Sequence, residues 1–224
     1  KSPVIILDDT SLDMAAAGSA GAIFFNQGQV CTAGSRLYVQ RKRFDQVLER
    51  LAAIAGDLSI GPGLDPTTQI NPLVSARQQE RVLGMIESGV AEGASVVCGG
   101  ARQGETGFYV QPTILADVTP GMQVVREEIF GPVLVATPFD DLDEAVRLAN
   151  DSIYGLGASI WSNDLRQVMD LVPRIKAGTV WVNAHNLLDP SMPFGGFKQS
   201  GIGREMGHAA IEAYTENKSV CIAY

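Results

Sequence analysis

The chain has 224 residues, of which 46% are hydrophobic, and this is enough apolar material to bury the core of a globular domain. Its 17 basic and 25 acidic residues give a net charge of −8, and the absence of any basic run argues against a nucleic acid partner. No apolar run reaches the roughly 20 residues that span a bilayer, so we expect no membrane partner. Three widely spaced cysteines, Cys31, Cys98 and Cys221, form no disulfide framework, and we therefore expect a cytoplasmic location.

Apolar spacing predicts strands and helices that alternate along the chain. Capping residues and glycines mark several helix ends. The predicted elements are a strand at 4–7, a helix opened by a Thr10/Asp13 capping box and running to Phe25, a strand at 36–40, a helix at 44–54, a helix from the Ser75 cap to Gly93, strands at 95–98, 108–115 and 132–139, a helix capped by Asp141 and ending near Asn150, a strand at 156–161, a helix at 165–175, a strand at 179–183 and a helix at 204–214.

This alternation is typical of an α/β domain, with an open, largely parallel sheet and helices on both of its faces. We assign residues 1–214 to that domain. The last ten residues, 215–224, form a tail in which Lys218–Tyr224 predicts a strand with little chain left to bury it. We expect this tail strand to pair with the sheet edge of another subunit, so that the protein is a homo-oligomer.

Cys31 lies on a predicted helix-to-strand connection, among small uncharged residues and between Gly28 and Gly34. A catalytic thiol needs a base, a cation or backbone amides that stabilise the thiolate, and amides are available on such a connection. A lone cysteine in an apolar setting is more often a small core residue, however. We interpret Cys98 and Cys221 in this second way, as small core residues.

Two further segments carry candidate chemistry. Residues 127–132 read EEIFGP, which is typical of a solvated acidic corner, although a carboxylate there could hold sugar hydroxyls. The glycine-rich segment 183–205 contains neither a dinucleotide-binding nor a P-loop fingerprint. His185 and His208 match no metal-ligand spacing, so we expect no metal site, and no nucleophile elbow supports a serine hydrolase.

Taken together, GQVC at 28–31, EEIFGP at 127–132 and PFGGFKQSG at 193–201 resemble the aldehyde dehydrogenase superfamily in order and spacing along the whole chain. The resemblance implies that Cys31 attacks an aldehyde carbonyl to give a thiohemiacetal, whose hydride passes to NAD or NADP. The resulting thioester is then hydrolysed to the acid. The backbone N–H of Cys31 would form part of the oxyanion hole.

The resemblance also implies roles for four other residues. Glu128 matches the glutamate that holds the nicotinamide ribose, and Phe130 matches the aromatic residue beside the nicotinamide ring. Leu188 and Phe194 fall in the wall of the substrate pocket, where they would line an apolar site for an aryl or alkyl aldehyde. The residues that most resemble the phenylacetaldehyde dehydrogenases within the superfamily are His185, Leu187, Leu188, Asp189 and Pro190.

Lys1 matches the last residue of a family segment that contains the general-base glutamate. We therefore expect this chain to be the catalytic half of a longer enzyme, with the dinucleotide-binding domain absent from it, and to be inactive as a dehydrogenase on its own. Two alternatives stay open. One is a cysteine-dependent acyl hydrolase, and the other is a non-catalytic assembly module.

Overall fold

The computed structural model describes all 224 residues, and its centre is one seven-stranded sheet. The strands are β1 Pro3–Ile6, β2 Arg36–Gln40, β3 Ser95–Cys98, β4 Thr113–Ala116, β5 Val133–Phe139, β6 Gly157–Trp161 and β7 Thr179–Val182. Their spatial order is β3-β4-β5-β2-β1-β6-β7. Only β3 runs antiparallel to its neighbour, and every other pair is parallel. The predicted open, largely parallel sheet is confirmed.

Helices cover both faces of this sheet. They are α1 Leu12–Phe24, α2 Phe44–Asp57, α3 Ala76–Ala91, α4 Gln123–Arg126, α5 Leu142–Asn150, α6 Leu165–Leu171 and α7 Ala209–Ala213. Side chains alternate along a strand, so Val4 and Ile6 of β1 share a core with α1 and α2. Ile5 and Leu7 belong to a second core with α5 and α6, on the opposite face. None of the helices combines the length and apolar character that a membrane crossing requires.

Two predicted helix caps are confirmed and one is wrong. The side chains of Ser75 and Asp141 each accept a hydrogen bond from the backbone three residues ahead, as expected of N-caps. Helix α1 is instead capped by Ser11, whose hydroxyl accepts from the N–H of Met14. Thr10 has a different partner, because its hydroxyl donates to the carbonyl of Trp161, 2.6 Å away.

Two other predicted elements are shorter than expected. The strand predicted at 108–115 begins at Thr113, because pairing with β5 starts there and Val110 makes only an isolated bridge to Arg102. The helix predicted at 204–214 shrinks to α7, because Glu205 is held in an extended bridge to Phe194. Apolar spacing alone does not distinguish these local pairings from regular structure.

The strand predicted within the tail, Lys218–Tyr224, does not form inside the single chain. Residues 215–224 have no regular secondary structure and are exposed, and they pair with no strand of their own sheet. A strand needs a partner for its backbone groups, and the chain offers none at this place. Pairing of the tail with another subunit stays a prediction.

Arg36 on β2 is fully buried and has no carboxylate partner. Its Nε donates to the carbonyl of Lys1 over 2.9 Å, and Nη2 donates to the carbonyl of Ala149 over 2.9 Å. Nη1 donates to the carbonyl of Leu148 over 3.1 Å. The last two carbonyls end helix α5, where the helix dipole is negative. One guanidinium thus ties β2, the start of β1 and the end of α5 together.

We expect Arg36→Met to lower the free energy of unfolding by about 3 kcal/mol, because it leaves several buried carbonyls without a donor. Chemical denaturation of the 224-residue chain measures this change. The matched control is Arg41→Met, since Arg41 is exposed and pairs with Asp140 at the surface. Its cost should stay below about 1 kcal/mol. Equal losses in the two variants would contradict the structural role of Arg36.

Candidate active site

Cys31 lies at the tip of a tight turn between α1 and β2. After Phe24 ends the helix, residues 26–28 adopt left-handed backbone angles, with φ of 48°, 56° and 69°. The next residues form a turn, closed by a 3.0 Å hydrogen bond from the N–H of Ala33 to the carbonyl of Val30. The thiol of Cys31 is exposed. This excludes the alternative that Cys31 is a core residue.

The turn leaves three consecutive backbone donors free. The N–H groups of Val30, Cys31 and Thr32 donate no hydrogen bond within the chain, whereas the next N–H, that of Ala33, is paired. Amides fixed in this way stabilise negative charge that develops on a neighbouring oxygen or sulfur. The turn therefore offers an electrophilic substrate both a nucleophile and donors for the oxyanion that results.

The structure brings Cys31 and Glu128 together although they are far apart in sequence. Both line a cavity of about 180 Å³, whose walls also include Lys1, Arg36 and Leu156. Glu128 is half-buried. Phe130 lies in an adjoining narrow cleft that Glu128 also lines. The wall of this cavity thus combines a thiol with a carboxylate, which can accept hydrogen bonds from a molecule bound beside the thiol.

Helix α3 holds the segment that carries Glu128. The side-chain amide of Gln78 donates to the carbonyls of Ile129 and Phe130 over 3.0 and 2.8 Å. Arg81 donates to the carbonyl of Glu128 over 2.7 Å. Phe130 has a left-handed φ of 58° and remains partly exposed, and this backbone conformation costs about 1–3 kcal/mol in a residue other than glycine. The two donations from Gln78 stabilise it.

The backbone of the Cys31 turn and that of the Glu128 segment are in direct contact. Gly28 has a φ of 69°, and a Cβ placed on it would lie 2.0 Å from the carbonyl oxygen of Gly131. A Cβ on Gly131 would in turn lie 2.5 Å from Val82 of α3. Only residues without side chains permit these distances. The relative position of the Cys31 turn and the Glu128 segment therefore depends on these two glycines.

Two lysines near the cavity have a pKa below the usual value for a lysine side chain. Burial, followed by the charge of Arg36, lowers the pKa of Lys1 to about 7, and its Nζ donates to the carbonyl of Val124 over 2.6 Å. Burial also lowers the pKa of Lys198. Its Nζ donates to the carbonyl of Asn150, the last residue of α5, and to that of Ser152, two residues further on. Lys198 and the buried Arg36 thus both donate to carbonyls at the C-terminal end of α5.

The residues predicted for the substrate pocket do not line the cavity with Cys31. Leu188 is half exposed, and Phe194 is joined to Glu205 by two backbone hydrogen bonds of 2.7 and 2.8 Å. A separate, more apolar cleft is lined by Phe25, Trp161, His185 and Asn186, together with small residues of α1. The pocket role of Leu188 and Phe194 stays a prediction.

Sequence reasoning missed Phe25, Asn186 and the contacts of His185. Phe24 and Phe25 are consecutive, and helical spacing cannot place both in the core. The structure buries Phe24 and leaves Phe25 65% exposed beside the apolar cleft. The two consecutive phenylalanines were therefore the sequence signal that one of the rings, here that of Phe25, lies outside the core. No group of three or more possible metal ligands is found anywhere in the chain.

Comparison with known proteins decides the family. The model of the aldehyde dehydrogenase family matches residues 1–220. The chain belongs to the aldehyde dehydrogenase family. A phenylacetaldehyde dehydrogenase from Pseudomonas fluorescens is 52% identical over 226 aligned residues, which cover 100% of this chain and 45% of that protein. The predicted resemblance is confirmed.

Solved structures of family members share the fold. An NAD+ complex of an aldehyde dehydrogenase from Bacillus cereus is 49% identical, with a TM-score of 0.96 over 98% of this chain and 45% of that one. A betaine aldehyde dehydrogenase from Staphylococcus aureus in complex with NAD+ is 35% identical, with a TM-score of 0.93 over 95% of this chain and 43% of that one. The chain therefore spans about half the length of the relatives it matches.

We expect Gly28→Ala to destabilise the chain by about 2–3 kcal/mol, because it adds left-handed strain to a main-chain clash. It should also slow alkylation of Cys31, since the turn must move away from Gly131. Thermal unfolding and iodoacetamide labelling measure the two effects. Gly84→Ala in α3 is the control, because no atom lies within 4 Å of its added Cβ. A Gly28→Ala chain as stable and reactive as this control would refute the contact.

Proposed function

We propose that this chain is the catalytic half of an NAD(P)+-dependent aldehyde dehydrogenase that oxidises apolar aldehydes, aryl aldehydes among them, to carboxylic acids. Cys31 is the nucleophile in this proposal. The observation that supports it most strongly is the shared cavity of the exposed Cys31 thiol and the Glu128 carboxylate. An exposed thiol, free amides and a nearby carboxylate are the groups that this chemistry requires.

In the proposed reaction, the Cys31 thiolate attacks the carbonyl carbon of the aldehyde. A carbon–sulfur bond forms, and the electron pair of the carbonyl double bond moves to its oxygen. The N–H groups of Cys31 and Thr32 donate to this oxyanion, and they need no reorganisation because the turn already fixes them. Loss of hydride leaves the acyl group on Cys31 as a thioester, which water cleaves to release the acid and the thiol.

NAD or NADP, when bound, supplies the acceptor for the hydride. The residues around the cavity fit such a cofactor. The carboxylate of Glu128 is half-buried at the cavity wall, where it can accept hydrogen bonds from two ribose hydroxyls. The ring of Phe130 is partly exposed in the adjoining cleft, where it can pack against a planar ring.

The substrate class rests on two observations. The relative from Pseudomonas fluorescens is a phenylacetaldehyde dehydrogenase at 52% identity. The cleft lined by Phe25 and Trp161 offers aromatic surface, and Leu188 and Phe194 of the neighbouring segment would complete an apolar pocket. We further propose a cytoplasmic homo-oligomer in which the tail, residues 215–224, joins subunits.

Protection from alkylation tests the nucleophile. In the 224-residue chain, iodoacetamide should modify Cys31 faster than Cys98, because burial raises the pKa of the Cys98 thiol. Phenylacetaldehyde should slow modification of Cys31 by occupying the sulfur as a thiohemiacetal. Phenylacetate is the matched control, since it carries the same ring without an electrophilic carbonyl. A Cys31 no faster than Cys98 would favour the non-catalytic assembly module instead.

A cysteine-dependent acyl hydrolase is the second candidate. It is favoured by the free N–H groups beside an exposed thiol, since activated esters need no hydride acceptor. We expect the 224-residue chain to form no NADH from aldehyde and NAD+, because hydride transfer needs a bound acceptor. A burst of nitrophenol from a nitrophenyl ester, abolished by Cys31→Ala, would support the hydrolase. NADH formation above background would contradict our expectation for the chain on its own.

A further inference from the structure

His185 contacts the Cys31 turn directly. Its Nε2 lies 2.8 Å from the carbonyl oxygen of Thr32, and its Nδ1 lies 3.0 Å from the hydroxyl of Ser159 on β6. The ring stacks at a tilt on Trp181 of β7, with 5.0 Å between the centroids. Its Cε1 would lie 3.4 Å from a Cβ placed on Gly34. The imidazole therefore links β6 and β7 to the turn that carries the thiol.

The chemistry of the partners fixes the direction of every hydrogen bond in this group. A carbonyl oxygen only accepts, so Nε2 of His185 carries the proton and donates to Thr32. Nδ1 must then accept from the hydroxyl of Ser159. That hydroxyl oxygen accepts in turn from the indole N–H of Trp161, 3.2 Å away. Burial lowers the pKa of His185, and no charged side chain acts on it, so the neutral ring is the stable form.

The bond from His185 acts on the peptide that closes the turn. The carbonyl of Thr32 and the N–H of Ala33 belong to one rigid peptide plane. His185 holds its oxygen, and the carbonyl of Val30 holds its N–H over 3.0 Å. Cys31 lies inside the loop that this plane closes. The neighbouring Asn186 accepts from the hydroxyl of Thr32, so adjacent residues fix the same position twice.

We infer that His185 is a positioning residue for Cys31, acting through the carbonyl of Thr32. Its neutral Nε2–H locks the peptide plane that closes the turn, and this keeps the thiol exposed and the N–H groups of Cys31 and Thr32 available. The inference deepens the proposed function and rests on Cys31 being the nucleophile there. His185 is thereby a part of the site that no motif around Cys31 contains.

Two substitutions distinguish the hydrogen bonds made by the two ring nitrogens of His185. The side-chain amide nitrogen of Gln lies about as far from the backbone as Nε2, so His185→Gln keeps a donor for Thr32. The amide of Asn reaches only the position of Nδ1, so His185→Asn loses that donor. At pH 7, we expect His185→Asn to slow alkylation of Cys31 by iodoacetamide about tenfold, which corresponds to one lost buried hydrogen bond of about 1.4 kcal/mol. His185→Gln should restore most of the rate.

Three controls make the outcome specific. Labelling of Cys98 in the same sample should be unchanged in every variant. His208→Asn makes the same substitution at the other histidine, which is exposed, and should leave the Cys31 rate at the wild-type value. Thermal unfolding reports whether each variant is folded. Should His185→Asn fail to fold, Ser159→Ala, which removes the donor to Nδ1 of His185 together with the acceptor of the Trp161 indole N–H, should slow Cys31 while His185→Gln stays near wild type.

The possible failures can be told apart. A wild-type Cys31 that reacts no faster than Cys98 would overturn the proposed function, and this inference with it. A reactive Cys31 with a wild-type rate in His185→Asn would overturn the inference alone. Equal slowing in the Gln and Asn variants would also overturn it. The effect would then come from the lost packing of the imidazole ring and not from the lost Nε2–H donor.

Discussion

The site depends on one tight turn, Val30–Ala33, that exposes a thiol and leaves three main-chain donors unpaired. Such a turn is costly, because polar backbone groups without partners and left-handed residues both oppose folding. The surrounding fold offsets that cost by fixing the turn from several sides. Gly28 docks on Gly131, and His185 holds the carbonyl of Thr32. The exposure of Cys31 follows from the restraint of its backbone, with no charged side chain beside it in sequence.

The rest of the sheet supplies the framework on which these contacts are built. Because β1, β2 and β5 are parallel neighbours, the segments that lead into them, with Lys1, Cys31 and Glu128, meet at the same edge of the sheet. The buried Arg36 ties the first residue of the chain to the end of α5, while Lys198 donates to the carbonyl of the last residue of that helix. Helix α3 holds the Glu128 segment by donating to its backbone carbonyls. Side chains that donate to backbone, rather than ion pairs, thus position most of the site.

Much of the fold could be predicted from the sequence because apolar spacing reports directly on burial. The alternation of Val4 and Ile5 between two cores and the caps at Ser75 and Asp141 are examples. Glu128 could be assigned only through its motif, since periodicity does not distinguish a site carboxylate from a surface one. The role of His185 could not be predicted, because its partner is a backbone carbonyl, which every residue type carries. The tail differs again, because residues 215–224 pair with no strand of this chain and apolar spacing alone does not supply a pairing partner.

The proposed function depends on covalent addition of Cys31 to an aldehyde carbon. Carbon-13 NMR of the 224-residue chain with phenylacetaldehyde labelled at its carbonyl carbon detects this adduct. We expect a signal from a tetrahedral carbon bonded to sulfur, equal in amount to the protein and lost in Cys31→Ala. Signals from free aldehyde and its hydrate alone, identical in the two proteins, would contradict it.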